Sequence, residues 1–231
     1  MKKLFFFCLT IFYLLLPVLL FAQQSGFLRP DYGKIEQAIK VNDSPMFYTK
    51  LMDRFLKGDS TMTIEEKQHL YYGFTFQKDY SPYKHSKYFD SVKAIVEMKT
   101  VSNSDCQKLI IFSDSVLKES PFDMRMLNYQ MYAFEKLSKN EQLLRALTKI
   151  RTLIDAIVST GDGTSMENAL FVIYISHEYD MLEIMGLPFG GKQKLIEHFD
   201  YLTLEKNDAG LEGLYFDISP SLNHMSKMFK D

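Results

Sequence analysis

The 231-residue sequence has no Trp, only two Cys, 11 Gly and 7 Pro. So little glycine and proline excludes a collagen-like or low-complexity chain, and two cysteines cannot form a disulfide scaffold. No charge of one sign dominates. Lys and Arg number 27 against 29 Asp and Glu, a formal −2. A duplex-DNA binder normally carries a basic footprint, so no nucleic-acid partner is expected. Catalytic signatures are also missing. No Gly-x-Ser-x-Gly elbow exists, and no His-Glu-x-x-His zinc helix is complete. The absence of Trp makes a carbohydrate-binding platform less attractive.

What is present is apolar and aromatic. The chain is 46% hydrophobic and 24% charged, with 19 Phe and 14 Tyr, which suits one globular domain or two small ones. Lys2 and Lys3 precede an apolar run from Leu4 to Phe21, broken by Thr10 and Pro17 and followed by Ala22 and Gln23. This predicts a secretory signal peptide, residues 1–22, cut at about Ala22/Gln23, and hence a periplasmic or secreted protein. The alternative is an uncleaved anchor, since about 20 apolar residues can span a bilayer. Apart from that segment no membrane association is expected. Cleavage removes Lys2 and Lys3, leaving 25 basic and 29 acidic residues, and leaves Cys106 as the sole thiol. Stability must then come from core burial, which a chain of about 200 residues can supply.

Residues 23–160 read as a helical, repeat-like region and 161–231 as a small β-rich region packed on it, one compact domain overall. Thr63 and Glu66 have capping-box spacing, Ser44-Pro45 looks like an N-cap with proline at N1, and Gly58 ends the helix that follows. Met124, Leu127, Met131 and Phe134 form one apolar stripe, and Phe122, Met126 and Tyr129 a second, so this helix must be covered on two sides. Leu143, Leu147, Ile150, Ile154 and Ile157 hold a helical period. Packing from Leu109 to Ile157 resembles tetratricopeptide stacking, although no clean 34-residue repeat can be laid over the chain. After Gly161-Asp162-Gly163 the pattern changes. Leu170–Ile175 (LFVIYI) reads as a buried strand, His177–Met185 as a strand or short helix, and 186–191 as a loop. The alternation in 201–205 and 214–218 around Asn207-Asp208-Ala209-Gly210 reads as a hairpin. The fold class expected is therefore α+β: helical hairpins, then a small antiparallel sheet at the C-terminus.

Few motifs carry chemistry. GLPFGGKQ, residues 186–193, has the Gly and Lys spacing of a phosphate-binding loop, but Gln193 stands where Ser or Thr would ligate magnesium. A connecting loop is the simpler reading. His177, Glu178 and Asp180 are the catalytic candidates, weak ones, because Met181 replaces the second His of a zinc helix. The plainer reading is a polar cluster that caps a strand and faces water. Cys106 falls on an apolar stripe and reads as a small buried hydrophobe. No cofactor or metal site is expected.

The stretch Leu70–Tyr88 packs seven aromatics into one short segment. Tyrosine offers large area with a polar tip, so Tyr72, Tyr80 and Tyr83 are candidate binding residues, the loop positions Tyr80 and Tyr83 above all. DYGKIEQAIK, the run from DSPMFYTKL to KDYSPY, HEYDMLEIMGL and NDAGLEGLYFDIS resemble an uncharacterised family of exported proteins from Bacteroides and relatives, the domain of unknown function numbered 4919. The resemblance covers nearly all of residues 30–220 and implies an exported protein with no established activity. Three functions are then open: a non-enzymatic protein- or peptide-interaction or accessory module of the cell envelope; a hydrolase or metal-dependent enzyme with its site near His177, Glu178 and Asp180; or a small-ligand or glycan binder using the tyrosines.

Overall fold

The computed structural model describes residues 26–228. The signal-peptide reading of residues 1–22, with Cys8, lies outside the described residues. Seven helices come first: α1 (Tyr32–Ala38), α2 (Tyr48–Lys57), α3 (Ile64–Gly73), α4 (Phe89–Val96), α5 (Asn103–Glu119), α6 (Met124–Lys136) and α7 (Asn140–Val158). A 3-10 turn, Phe74–Phe76, continues α3. The remainder is β1 (Leu170–Phe171), α8 (Ser176–Ile184), β2 (Phe189–Ile196), β3 (Phe199–Leu204), β4 (Gly213–Asp217) and α9 (Ser219–Met228). The fold is α+β. Among the described residues no helix is long and apolar enough to cross a membrane.

The helix ends follow local chemistry. The Thr63/Glu66 box closes in both directions, and Ser102 with Asp105 forms a second one at the start of α5. Gly58 (φ 71°) ends α2, its N–H donating to Phe55 O at 2.9 Å while Asp59 N donates to Arg54 O at 3.0 Å. The Ser44-Pro45 expectation is corrected. Those residues form a turn in which Ser44 Oγ accepts from Met46 N at 3.0 Å, and α2 starts only at Tyr48, with no side-chain cap.

Helices α4 to α7 pack in chain order, each against the next, while α3 lies against both α2 and α7. A buried ion pair, Lys67 Nζ to Asp155 Oδ2 at 2.7 Å, joins α3 to α7. The two stripes of α6 face two cores, as expected. Met124, Leu127, Met131 and Phe134 join the main core, and Met126 and Ala133 join a second core with Val92, Ile95, Cys106, Leu109 and Val116. Phe122 is the exception. It lies in the main core, edge-on to Phe55 at 5.1 Å. That core also takes Leu202, Leu214 and Phe216 from the sheet.

The sheet order is β1-β4-β3-β2. The expected β3–β4 hairpin forms, with Leu202 opposite Leu214, and Asn207 closes its turn by accepting from Leu211 N at 3.1 Å. The expectation of an antiparallel sheet is corrected, because β1 pairs parallel with β4. The expected strand over 170–175 is also cut short. Only Leu170 and Phe171 join the ladder, although Val172 and Ile173 are fully buried. Their backbone groups still need partners. Tyrosine hydroxyls supply them: Tyr72 Oη donates to Phe171 O (3.1 Å), Tyr80 Oη donates to Ile173 O (2.6 Å), and Ile173 N donates to Tyr71 Oη (3.3 Å). Side chains from a helix and a loop stand in for a neighbouring strand.

Candidate functional site

Residues 177–185 are helical through Ile184, and His177, Glu178 and Asp180 are buried, not water-facing. Glu178 lies about 100° round the helix from His177 and Asp180, at i+3, only about 60° from it, yet the three side chains meet different neighbours. His177 enters the core. Its Nε2 is 2.9 Å from Phe122 O and its Nδ1 2.6 Å from Tyr71 Oη. A carbonyl only accepts, so Nε2 carries the proton, and Nδ1 accepts from the Tyr71 hydroxyl. Burial, opposed in part by the Phe122 carbonyl, pushes His177 down to about 4. The ring is neutral at pH 7 with both nitrogens engaged.

Glu178 turns toward the sheet. Neither carboxyl oxygen has a hydrogen-bond partner among the described residues, and burial, reinforced by the neighbouring Asp200 carboxylate, pushes it up to about 9. Glu178 is therefore a neutral acid at pH 7. Asp200 is itself held, accepting from Gln193 Nε2 at 2.6 Å, while Gln193 Oε1 accepts from Tyr179 Oη at 2.7 Å.

Asp180 faces α6, where Arg125 Nη2 donates to its Oδ1 at 3.2 Å. Burial raises Asp180 to about 7 against the opposing pull of the Arg125 charge. This pair edges a shallow, solvent-open cleft between α6, α7 and α8, whose apolar lining is Met124, Ile150, Ile154 and Ile184. Arg125 keeps 40% of its side chain exposed, whereas Asp180 keeps 7%. Of the three catalytic candidates only Asp180 reaches a cleft.

The candidate binding tyrosines separate in the same way. Tyr72 is fully buried, its hydroxyl shared between Ala156 O and Phe171 O, so it is core and not a binding residue. Tyr80 is nearly buried, and its hydroxyl is committed to Ile173 O. Tyr83 alone is exposed, at 47%, with its hydroxyl on Ser221 O at 3.2 Å. The ring of Tyr80 still lines a second cleft, formed with Tyr32, Phe76, Phe171 and α9.

Cys106 is buried as expected, and burial pushes its thiol pKa up. The loop expected over 186–191 is cut short: Gly186 (φ 68°) follows α8, whereas Gly190 and Gly191 already belong to β2. The register of β2 slips between Phe189 and Gln193, and Gly191 holds φ 82° there. A Cβ on Gly190 would lie 2.9 Å from the Leu204 backbone. Among the described residues no three His, Cys, Asp or Glu side chains converge as metal ligands.

Sequence reasoning missed Arg125, Tyr32, Phe171, His224 and Lys227. They belong to segments far apart in the chain, and no local spacing links them. Comparison with known proteins adds one match: a family model described as a domain of unknown function, DUF4919, covers residues 33–227. No curated protein and no solved structure matches.

Proposed function

The chain belongs to the DUF4919 family, a domain of unknown function, and from its site geometry we propose that it is an exported, non-enzymatic interaction or accessory module of the cell envelope. In this reading the hairpins α5–α6–α7, stacked in a tetratricopeptide-like manner, present the cleft at Arg125 to a protein or peptide. The observation that carries it is the make-up of that cleft, an apolar lining of Met124, Ile150, Ile154 and Ile184 beside a half-exposed guanidinium. With Arg125 beside Asp180 and Glu183, such a slot suits one aliphatic side chain and an adjacent polar, uncharged group of an extended segment. The basic, then apolar, N-terminal run supports export.

A photo-crosslinking residue in place of the exposed Glu183 tests the reading in cells. A discrete adduct that disappears with Arg125→Glu is expected. No adduct, or one indifferent to Arg125→Glu, overturns it. Peptide mapping of the envelope and secreted fractions should find a mature N-terminus at about Gln23; a chain that keeps Met1 in the cytoplasm contradicts export.

One observation favours the enzymatic alternative. Asp180, raised to about 7 at the edge of a cleft, is poised for proton transfer near neutral pH. A hydrolase of this kind would act on an ester, peptide or glycoside with a rate that titrates near pH 7 and is lost in Asp180→Asn. Absence of turnover on all three substrate classes removes this alternative.

A further inference from the structure

A larger cleft, about 400 Å³, opens where the start of α1, the 3-10 turn, the end of β1 and α9 meet. Four rings form its walls: Tyr32, Phe76, Tyr80 and Phe171. Tyr32 lies edge-on to Phe76 at 6.4 Å, and Tyr80 edge-on to His224 at 5.5 Å. The Tyr32 hydroxyl is buried and has no hydrogen-bond partner among the described residues. No Asp or Glu lines the cleft, whereas Lys227 and His224 do. Lys227 makes no ion pair among the described residues. Asp217, a buried acid whose charge acts on Tyr32, accepts from Ser219 N at 2.9 Å and lies 3.4 Å from His198 Nε2.

Aromatic walls favour a flat apolar body, which they meet by stacking and edge contacts. An exposed ammonium at the mouth of a recess without carboxylates favours a negative charge there, a modest preference because solvent screens it. A neutral sugar would leave the ammonium unanswered. We propose that this cleft binds a small organic anion built on an aromatic ring system, of the aryl carboxylate or aryl sulfonate class. The proposal is independent of the interaction reading, because its residues are not those of the Arg125 cleft.

Two probes share one aromatic body and differ in charge: 8-anilinonaphthalene-1-sulfonate and uncharged N-phenyl-1-naphthylamine. With no Trp in the chain, energy transfer from tyrosine reports their binding directly. The sulfonate should saturate at one site per chain and be displaced by benzoate. Lys227→Gln should weaken it roughly 1.5- to fivefold, the range for losing one exposed charge contact, and leave the uncharged probe unchanged. Asn223→Trp, on the exposed face of α9 beside the mouth, should block both probes with the circular dichroism spectrum retained. Sulfonate affinity indifferent to Lys227→Gln overturns the anion assignment. Binding of both probes that survives Asn223→Trp, or that never saturates, overturns the cleft itself.

Discussion

Tyr71, Tyr72 and Tyr80 show what decides the role of an aromatic residue. Each brings a large ring into the core and a hydroxyl to a buried backbone group that would otherwise lack a partner. Their polar ends serve the interior, so they are not free for recognition. The same low-dielectric interior sets the charges on α8. His177 is held down to about 4, Asp180 up to about 7 and Glu178 up to about 9, from ordinary values of 6.5, 3.8 and 4.5. The signs differ. His177 contributes stability above pH 6.5 that is lost as pH falls through about 4. Glu178 and Asp180 contribute stability below their unfolded values that is lost as pH rises through about 9 and about 7. Between pH 7 and 9 Glu178 is the main one of the three that titrates, Asp180 completing its titration by about pH 8, while folded Glu178 holds a proton that the unfolded chain has released. Stability should therefore fall by about 1.4 kcal/mol per pH unit from this group. Urea denaturation at pH 7, 8 and 9 should show that slope in the natural chain and its loss in Glu178→Gln. Equal slopes in both would mean that Glu178 is ionised in the folded state.

At the scale of elements, the Thr63/Glu66 cap and the β3–β4 hairpin were legible, whereas the Ser44 cap and the pairing of β1 were not. The Thr63/Glu66 box needs only residues three apart, and it forms. LFVIYI has the composition of a strand, but a strand also needs neighbours on its edges. The parallel partner β4 covers only Leu170 and Phe171, after which the chain turns into α8. The glycines of residues 186–191 were equally ambiguous, because a phosphate loop and a bulged edge strand both need close backbone approach. Here the approach is to β3. In Gly190→Ala the new Cβ would press on the Leu204 backbone, which cannot rotate away, so about 2 kcal/mol should be lost. For a chain of this size that lowers Tm by about 4–8 °C. Gly191→Ala meets open space and carries only the strain of its positive φ, about 1–2 kcal/mol. A scanning-calorimetry comparison in which Gly190→Ala is the milder change would contradict the bulge account.

At the scale of the whole molecule, α6 lies between two cores and couples them. Met131 and Met126, on its opposite stripes, are both fully buried, one in each core. The second core should therefore not open while the first stays folded. Cys106 in that second core reports on this directly, since it is fully buried. In a chain carrying Cys8→Ser, thiol labelling should require the global unfolding free energy measured by denaturant. Labelling at a markedly lower cost would show that α4 and α5 open as a separate unit.

The sequence by itself determined the α+β class, the capped helices, the two-sided burial of α6, the β3–β4 hairpin and the buried thiol. Each depends on residues close in the chain: helical and strand periods, cap spacing and turn residues act over a few positions. Only the tertiary structure decided that His177, Glu178 and Asp180 point apart and that Tyr72 is core. It also brought Arg125 to Asp180, and Lys227 to Tyr32 and Phe171. Those outcomes depend on the dielectric and the partners that distant segments supply, and no spacing along the chain encodes them.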